Sequence, residues 1–235
     1  MDNFQYICDN YSALKREIRE ISKRLGRAEP TLVAVTKSGS DDELRKIAEL
    51  SSDIAENRPG ELLRRGGLLR EAGLTPRLHQ IGSLQRNKVK MIIRDVHLIH
   101  SLDSLRLAAE IDKEAAKCGR KVPVLIEINS AKEESKGGIL PEEATEFFLA
   151  AREFKNISVV GLMTMGSADE GARECFRLTK RIFDEIHGKY RFDTDSPILS
   201  MGMSDSYVEA ILEGATMVRI GHRLFTKNEG DKSNV

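Results

Sequence analysis

Eight short runs of β-branched and apolar residues, separated by stretches with helical spacing, constrain this chain more than any other feature. The runs are LVAVT (32–36), DIAEN (53–57), RLHQIG (77–82), VHLIHS (96–101), VPVLIEI (122–128), ISVVGLM (157–163), PILSM (197–201) and TMVRIG (216–221). Between them, residues 41–51 carry Leu44, Ile47 and Ala48 on one helical face, 84–94 carry Val89, Ile92 and Ile93, and 103–118 lead up to Gly119. Pro141 is placed to open a helix at its first turn, and Gly188 and Gly214 are placed to close two others. Residues 169–188 read as an amphipathic covering helix, and 59–73 as a helix weakened in its middle by Gly66 and Gly67. Strand alternating with helix means a parallel sheet, because parallel neighbours need a crossover long enough to be a helix. Eight such units in about 200 residues fit a closed (β/α)8 barrel, whereas an open doubly wound sheet usually has five or six strands. The expected fold class is therefore α/β, a single-domain (β/α)8 TIM barrel with an extra N-terminal helix.

That extra helix is read from Phe4, Ile7, Tyr11, Leu14, Ile18, Ile21 and Leu25, which recur at intervals of 3, 4, 3, 4, 3 and 4. Such a stripe is the apolar face of an amphipathic helix over residues 4–25, with Gly26 placed to end it. After the eighth strand only residues 222–235 remain, too few for a full covering helix, so the striped helix is expected to fill that place. One domain over residues 1–226 is expected, followed by a flexible polar tail over 227–235. Thirty-seven Lys plus Arg balance thirty-seven Asp plus Glu, which removes the electrostatic footprint of a dedicated nucleic-acid binder. No run approaches the roughly 18–20 apolar residues of a membrane span. The start, MDNFQYICDN, lacks the basic segment and apolar core of an export signal, so a cytoplasmic location is expected. Cys8, Cys118 and Cys175 are far apart and form no CxxC pair, and His79, His97, His100, His187 and His222 form no metal pattern. Reduced thiols and structural histidines are expected, with His79 and His222 nearest the candidate site.

In such a barrel the ligand face carries the carboxyl ends of the strands, and phosphate is commonly held by the loops after strands seven and eight. Those loops read SMGMSDS and RIGHR. Gly202 permits a sharp turn, Ser204 and Asp205 suit the N-cap of a helix over 206–213, and Gly221 lets the backbone approach a ligand. Turn-making alone explains the same residues equally well. Arg219 shares parity with Met217 and Gly221, while Val218 and Ile220 share the apolar, helix-facing parity, so Arg219 is expected to point into the barrel. A buried guanidinium needs an acceptor, and Glu56 or Glu127 are candidates, as is a ligand. Lys37 follows a fully apolar strand on the parity of Val33 and Val35. Partial desolvation there would favour the neutral amine that attacks an aldehyde. Closure sets strand one beside strand eight, so an aldehyde at Lys37 and a phosphate at the seam would suit one ligand, pyridoxal 5′-phosphate.

At this point the sequence resembles the pyridoxal phosphate homeostasis proteins, single-domain barrels related to the N-terminal domain of alanine racemases. The resemblance runs through AVTKS around Lys37, IGSLQRNK (81–88), HSLDS (100–104), IEINSAKEESKGG (126–138), GLMTMG (161–166), SMGMSDS (200–206) and MVRIGHRLF (217–225). It implies that Lys37 carries the cofactor as a Schiff base, that Ser204 and the backbone around Gly221 and His222 hold its phosphate, and that Arg219 faces the pyridine nitrogen. Asn57 and Met201 match positions lining the cofactor. Gln85, Asn87, Lys88 and Lys136 also recur in the family, though capping and solvated charge explain them as readily. The chain departs from the family where Ala55-Glu56-Asn57-Arg58 stands for Gly-Glu-Asn-Tyr and Phe225-Thr226 for Phe-Gly. Arg58 would add a cation that favours anionic ligands.

The resemblance implies a carrier and regulator of pyridoxal phosphate in vitamin B6 and amino-acid homeostasis, a monomer whose partners are the cofactor and PLP-dependent apo-enzymes. An arginine opposite the ring nitrogen disfavours the pyridinium and weakens the ring as an electron sink. A low-activity amino-acid racemase is the alternative, but it needs a second base, and Tyr6, Tyr11, Tyr190 and Tyr207 offer none that the sequence sets over the cofactor. A cofactor-free Schiff-base lyase acting on a phosphorylated sugar is a third reading.

Overall fold

The computed structural model describes residues 4–133, 137–167 and 171–227. Every strand run becomes a strand: β1 (Thr31–Val35), β2 (Asp53–Glu56), β3 (Arg77–Gln80), β4 (Val96–Leu102), β5 (Val122–Ile128), β6 (Ile157–Thr164), β7 (Ile198–Ser200) and β8 (Met217–Ile220). They pair in parallel in chain order and close, with Thr31, Leu32, Val33 and Ala34 registered on Met217, Val218, Arg219 and Ile220. The helices are α1 (Gln5–Arg24), α2 (Asp41–Leu50), α3 (Pro59–Glu71), α4 (Arg86–Ile92), α5 (Leu105–Lys117), α6 (Ala144–Ala151), α7 (Ala172–Tyr190), α8 (Tyr207–Leu212) and α9 (His222–Phe225). A 3-10 turn at Pro141–Glu143 leads into α6.

Alternation along each strand separates two apolar layers. Val33, Val35, Ala55, Leu98, Leu125, Val160, Met163 and Met217 fill the barrel, while Leu32, Ala34, Ile54, Val124, Ile126, Val218 and Ile220 face helix residues such as Leu44, Ile47, Val89, Ile111 and Phe176. The last unit ends in α9, only four residues long, and α1 packs against α9, α8 and α2 to cover the seam. Ile7, Leu14 and Ile18 of its stripe are buried there.

Three helices differ from the sequence expectation, two at their ends and one in its middle. Gly188 does not stop α7, which runs on to Tyr190; the chain turns out at Arg191, whose φ is 63°. Gly66 does not weaken α3 but seats it, because a Cβ there would lie 2.7 Å from Leu78 Cδ1 on β3. The expected helix over 206–213 shrinks to the six residues of α8 before Gly214 at φ 97°. The start of the helix read at Asp169, Lys136 in the 126–138 segment, and residues 228–235 of the polar tail lie outside the described residues. No helix among the described residues is long and apolar enough to cross a membrane.

The runs did not announce the register shifts in the β3–β4, β4–β5 and β5–β6 pairs, of which the last is the tightest packed. The β5–β6 register slips between Val124 and Leu125, which pair with Val159 and Gly161 and leave Val160 over, a β-bulge. Gly161 then passes so close to β7 that a Cβ would stand 1.8 Å from Ile198 O. Gly161→Ala should therefore destabilise the chain by at least about 2 kcal/mol. Gly188→Ala, whose Cβ would meet open space inside α7, should stabilise it by about 0.5–1 kcal/mol. Urea unfolding of both variants checks this, and equal midpoints would contradict the bulge as the constraint.

Candidate functional site

The carboxyl ends of β7, β8 and β1 converge at the seam. Gly202 turns the chain out of β7 at φ 90°, where a Cβ would be 2.5 Å from Ala210 Cβ, and its carbonyl accepts from Arg219 N–H at 3.0 Å. Ser204 is not the N-cap of the following helix; that position is Ser206, whose hydroxyl accepts from Met203 N–H at 3.2 Å. With α8 too short for an appreciable end charge, the backbone N–H groups and hydroxyls of the loop are its anion-suited features. Ser204 Oγ is left to meet Gly221 N–H, at 3.4 Å. Gly221 in turn lies against β1: a Cβ would stand 3.0 Å from Val35 O, so no larger residue fits without a shift. His222 begins α9 and is exposed.

Lys37 is two residues beyond Val35, in the turn that follows β1. The partial desolvation expected of it is not found. Its side chain is exposed and makes no hydrogen bond or ion pair with a described residue, because the desolvated positions of its parity are Val33 and Val35 within the strand. Asn57 follows β2, half-buried, and its carbonyl accepts from Gln80 Nε2 at 2.9 Å. Gly82 crosses so near that a Cβ would be 2.5 Å from Asn57 O, and its own carbonyl accepts from Gln80 Nε2 at 2.9 Å and Ser101 Oγ at 2.8 Å. The ends of β2, β3 and β4 are thereby tied into one wall. Met201 does not line the mouth: it is fully buried among the helix-facing residues, on the parity of Leu199.

Arg219 points inward as its parity requires, 4% exposed. Its acceptors within the chain are neutral, and neither candidate carboxylate is among them: Nη1 donates to Ser200 Oγ at 2.7 Å and Nη2 to Thr164 O at 3.0 Å. Glu56 is engaged elsewhere, with Thr36 Oγ1 and Arg65. Burial lowers the Arg219 pKa to about 10, with Glu127 pulling the other way.

Beneath Arg219 runs a buried polar chain that sequence reasoning missed. Ser200 Oγ meets His100 Nδ1 at 3.1 Å, His100 Nε2 meets His79 Nδ1 at 3.0 Å, and His79 Nε2 meets Asp53 Oδ1 at 3.0 Å. Arg77 Nη2 donates to the other Asp53 oxygen at 2.5 Å. Burial opposes ionisation of Asp53, but bonds from His79, Arg77 and Ser52 outweigh it and hold the carboxyl well below its usual range. Burial, then His79 and Arg219, keep His100 neutral. The Ser200 oxygen, already in contact with His100, accepts from Arg219 Nη1 and so joins the guanidinium to this chain. Parity could have found the pair, since His79 lies beside Ala55 and His100 is two residues past Leu98, both interior.

Across the mouth, Glu127 shares the interior parity of Leu125 and is 5% exposed, with no hydrogen-bond partner for its carboxyl among the described residues. Burial and the nearby Asp103 raise its pKa to about 7, against the pull of Arg219. Among the described residues no group of three His, Cys, Asp or Glu side chains could hold a metal ion. A carboxyl raised in the folded state stays protonated after the unfolded chain has released its proton, so its effect on stability is lost as pH rises. Relative to Glu127→Gln, the wild type should lose about 2.5 kcal/mol between pH 5 and pH 8. Urea unfolding at the two pH values tests this, and parallel behaviour of the two proteins would refute it.

The family model described as the alanine racemase N-terminal domain matches residues 10–229. The pyridoxal phosphate homeostasis protein of Aquifex aeolicus is 39% identical over 224 residues, covering 93% of this chain and 96% of that one. A crystal structure of an unknown protein from Bifidobacterium adolescentis superposes with a TM-score of 0.87 at 31% identity, over 96% of this chain and 97% of that one. PipY of Synechococcus elongatus, solved with PLP bound, shares the fold at a TM-score of 0.80 and 24% identity, over 94% of this chain and all, 100%, of that one. The closed barrel, its covering α1 and these matches along nearly its whole length make the chain a member of the pyridoxal phosphate homeostasis protein family, built on the alanine racemase N-terminal domain.

Proposed function

We propose that this chain binds pyridoxal 5′-phosphate at the carboxyl mouth of its barrel, holds it as a Schiff base on Lys37, and acts as a carrier and regulator of that cofactor in vitamin B6 and amino-acid homeostasis. The observation that carries this reading is the seam: the Ser204 hydroxyl and the Gly221 N–H meet beside Val35 O, two residues before Lys37. A phosphate suits that pair, because the Ser204 hydroxyl can donate to it and the Gly221 N–H, bonded to Ser204 Oγ at a long 3.4 Å, can turn to it as a second donor. The names of close relatives and the PLP-bound PipY structure support the same ligand. Bound there, the cofactor would supply an aldehyde and a pyridine ring able to accept electron density.

Lys37 would hold the cofactor through its amine, which in its neutral form is nucleophilic toward an aldehyde. Ser204, Gly221 and the backbone at His222 hold the phosphate, and Asn57 contributes the wall on the β2 side. Arg219, cationic and fixed by Ser200 and Thr164, disfavours a proton on the ring nitrogen, which weakens the ring for racemisation and transamination. The tyrosines support a carrier over a racemase. Tyr6 and Tyr11 belong to α1, Tyr190 ends α7, and Tyr207 is buried in the helix-facing layer with its hydroxyl accepting from Arg223 Nη1 at 2.6 Å. The exposure of Lys37 suits transfer of the cofactor to PLP-dependent apo-enzymes.

Purified protein mixed with pyridoxal phosphate should be yellow, lose its band on borohydride reduction, and carry the corresponding mass increment on Lys37. Lys37→Ala should abolish the band. Ser204→Ala should weaken retention about 10-fold, the loss of one bond to a charged group, with the band still forming. An unchanged spectrum in Lys37→Ala would overturn the assignment, and a colourless wild type would favour a cofactor-free lyase.

A further inference from the structure

The tandem arginines of α3 face opposite ways. Arg64 lies at the surface with Asp41 and Glu61, whereas Arg65 is 7% exposed and points under the turn that carries Lys37. Its guanidinium forks: Nη1 donates to Thr36 O at 2.5 Å and Nη2 to Gly39 O at 2.7 Å. Those two carbonyls bracket Lys37 and Ser38. The turn itself has one backbone bond, Gly39 N–H to Thr36 O at 3.0 Å, and both of its central residues are exposed. On its other side Gly39 rests against Phe225, whose ring would be 3.0 Å from a Cβ.

Arg65 is anchored in its turn. Glu56 Oε1 lies 3.2 Å from Nη1 and also accepts from Thr36 Oγ1 at 2.5 Å, so the carboxylate grips the guanidinium and the residue before Lys37 together. Glu61 Oε2 lies 3.5 Å from Nε. Close seating of α3 on β3, made possible by Gly66 against Leu78, brings the guanidinium to this depth. A buried ion pair is weak evidence for stability, since an apolar pair of similar volume often packs as well. What an apolar pair cannot do is hold two carbonyls in a planar fork.

We propose that Arg65 is a positioning residue for Lys37: anchored on Glu56, it holds the Thr36 and Gly39 carbonyls and so fixes the turn from which the lysine amine reaches an aldehyde at the seam. The inference rests on the reading of Lys37 as the residue that condenses with the cofactor. A fixed turn limits the arrangements the amine must search before it attacks, so its loss falls on condensation and not on phosphate binding.

The test uses the full chain and two ligands, pyridoxal phosphate and pyridoxine 5′-phosphate, which has an alcohol in place of the aldehyde. Arg65→Met should slow formation of the borohydride-trappable band by about 10-fold or more while changing the Kd for pyridoxine 5′-phosphate by less than about 2-fold. Arg65→Lys, with a charge but no fork, should recover only part of the rate. Should Arg65→Met melt below the assay temperature, Glu56→Gln, which keeps shape and removes the anchoring charge, should slow the band about 3-fold with the same split between ligands. Wild-type rates in the folded variants, or equal losses for both ligands, overturn the proposal alone. Failure of the wild type to form a trapped adduct on Lys37 overturns both it and the reading on which it rests.

Discussion

The pairing of β1 with β8 is the contact on which the rest depends. Residues nearly two hundred positions apart become neighbours there, with Val33 beside Arg219 and Val35 beside Gly221. Without closure, Lys37 would sit at one edge of an open sheet and Ser204 and Arg219 at the other. The seam has little of its own to cover it, since α9 is a single short turn, and α1 supplies the missing layer from the other end of the chain. The amphipathic stripe that precedes the first strand is therefore part of the site's support.

A second constraint is the cost of charge inside the ring of strands. The lower interior is apolar, with Val33, Leu98, Leu125 and Met217, yet it also holds Asp53, His79, His100 and Arg219. Each buried polar group needs a partner, and one hydrogen-bonded chain from Arg219 through Ser200 and the histidines to Asp53 supplies them. Arg219 thus enters the mouth with two of its donors already used and its orientation set. Glu127 is the contrast: it is buried at the same rim without such partners among the described residues, and the pKa of its carboxyl is raised to about 7. The two groups give the mouth a cation of fixed geometry and an acid of adjustable charge.

Much of this was legible in the sequence. β-Branched runs gave eight strands within a residue or two of their bounds, because a strand buried on both faces must be apolar throughout. Parity put Arg219 inside for the same reason that it put Val218 outside. Features set by one close approach were not legible. Nothing in ISVVGLM marks Gly161 as the residue facing Ile198 O, and nothing in RRGG says that the second arginine turns under β1 while Gly66 seats the helix. Gly188 misled because open space lies around it and the helix gains more by continuing. Ser204 was read as a cap from its spacing, but Ser206 takes that place and releases the Ser204 hydroxyl to the seam. Local patterns specify elements; which polar atom meets which across the barrel is decided by depth and register.

The most direct test of the central claim is a crystal structure of the chain grown with pyridoxal phosphate. Continuous density from Lys37 Nζ to the ring, with the phosphate on Ser204 Oγ and Gly221 N–H across the β1–β8 seam, is the predicted result. A phosphate seated on the loops after β2 to β4, or a lysine other than Lys37 joined to the ring, would contradict it.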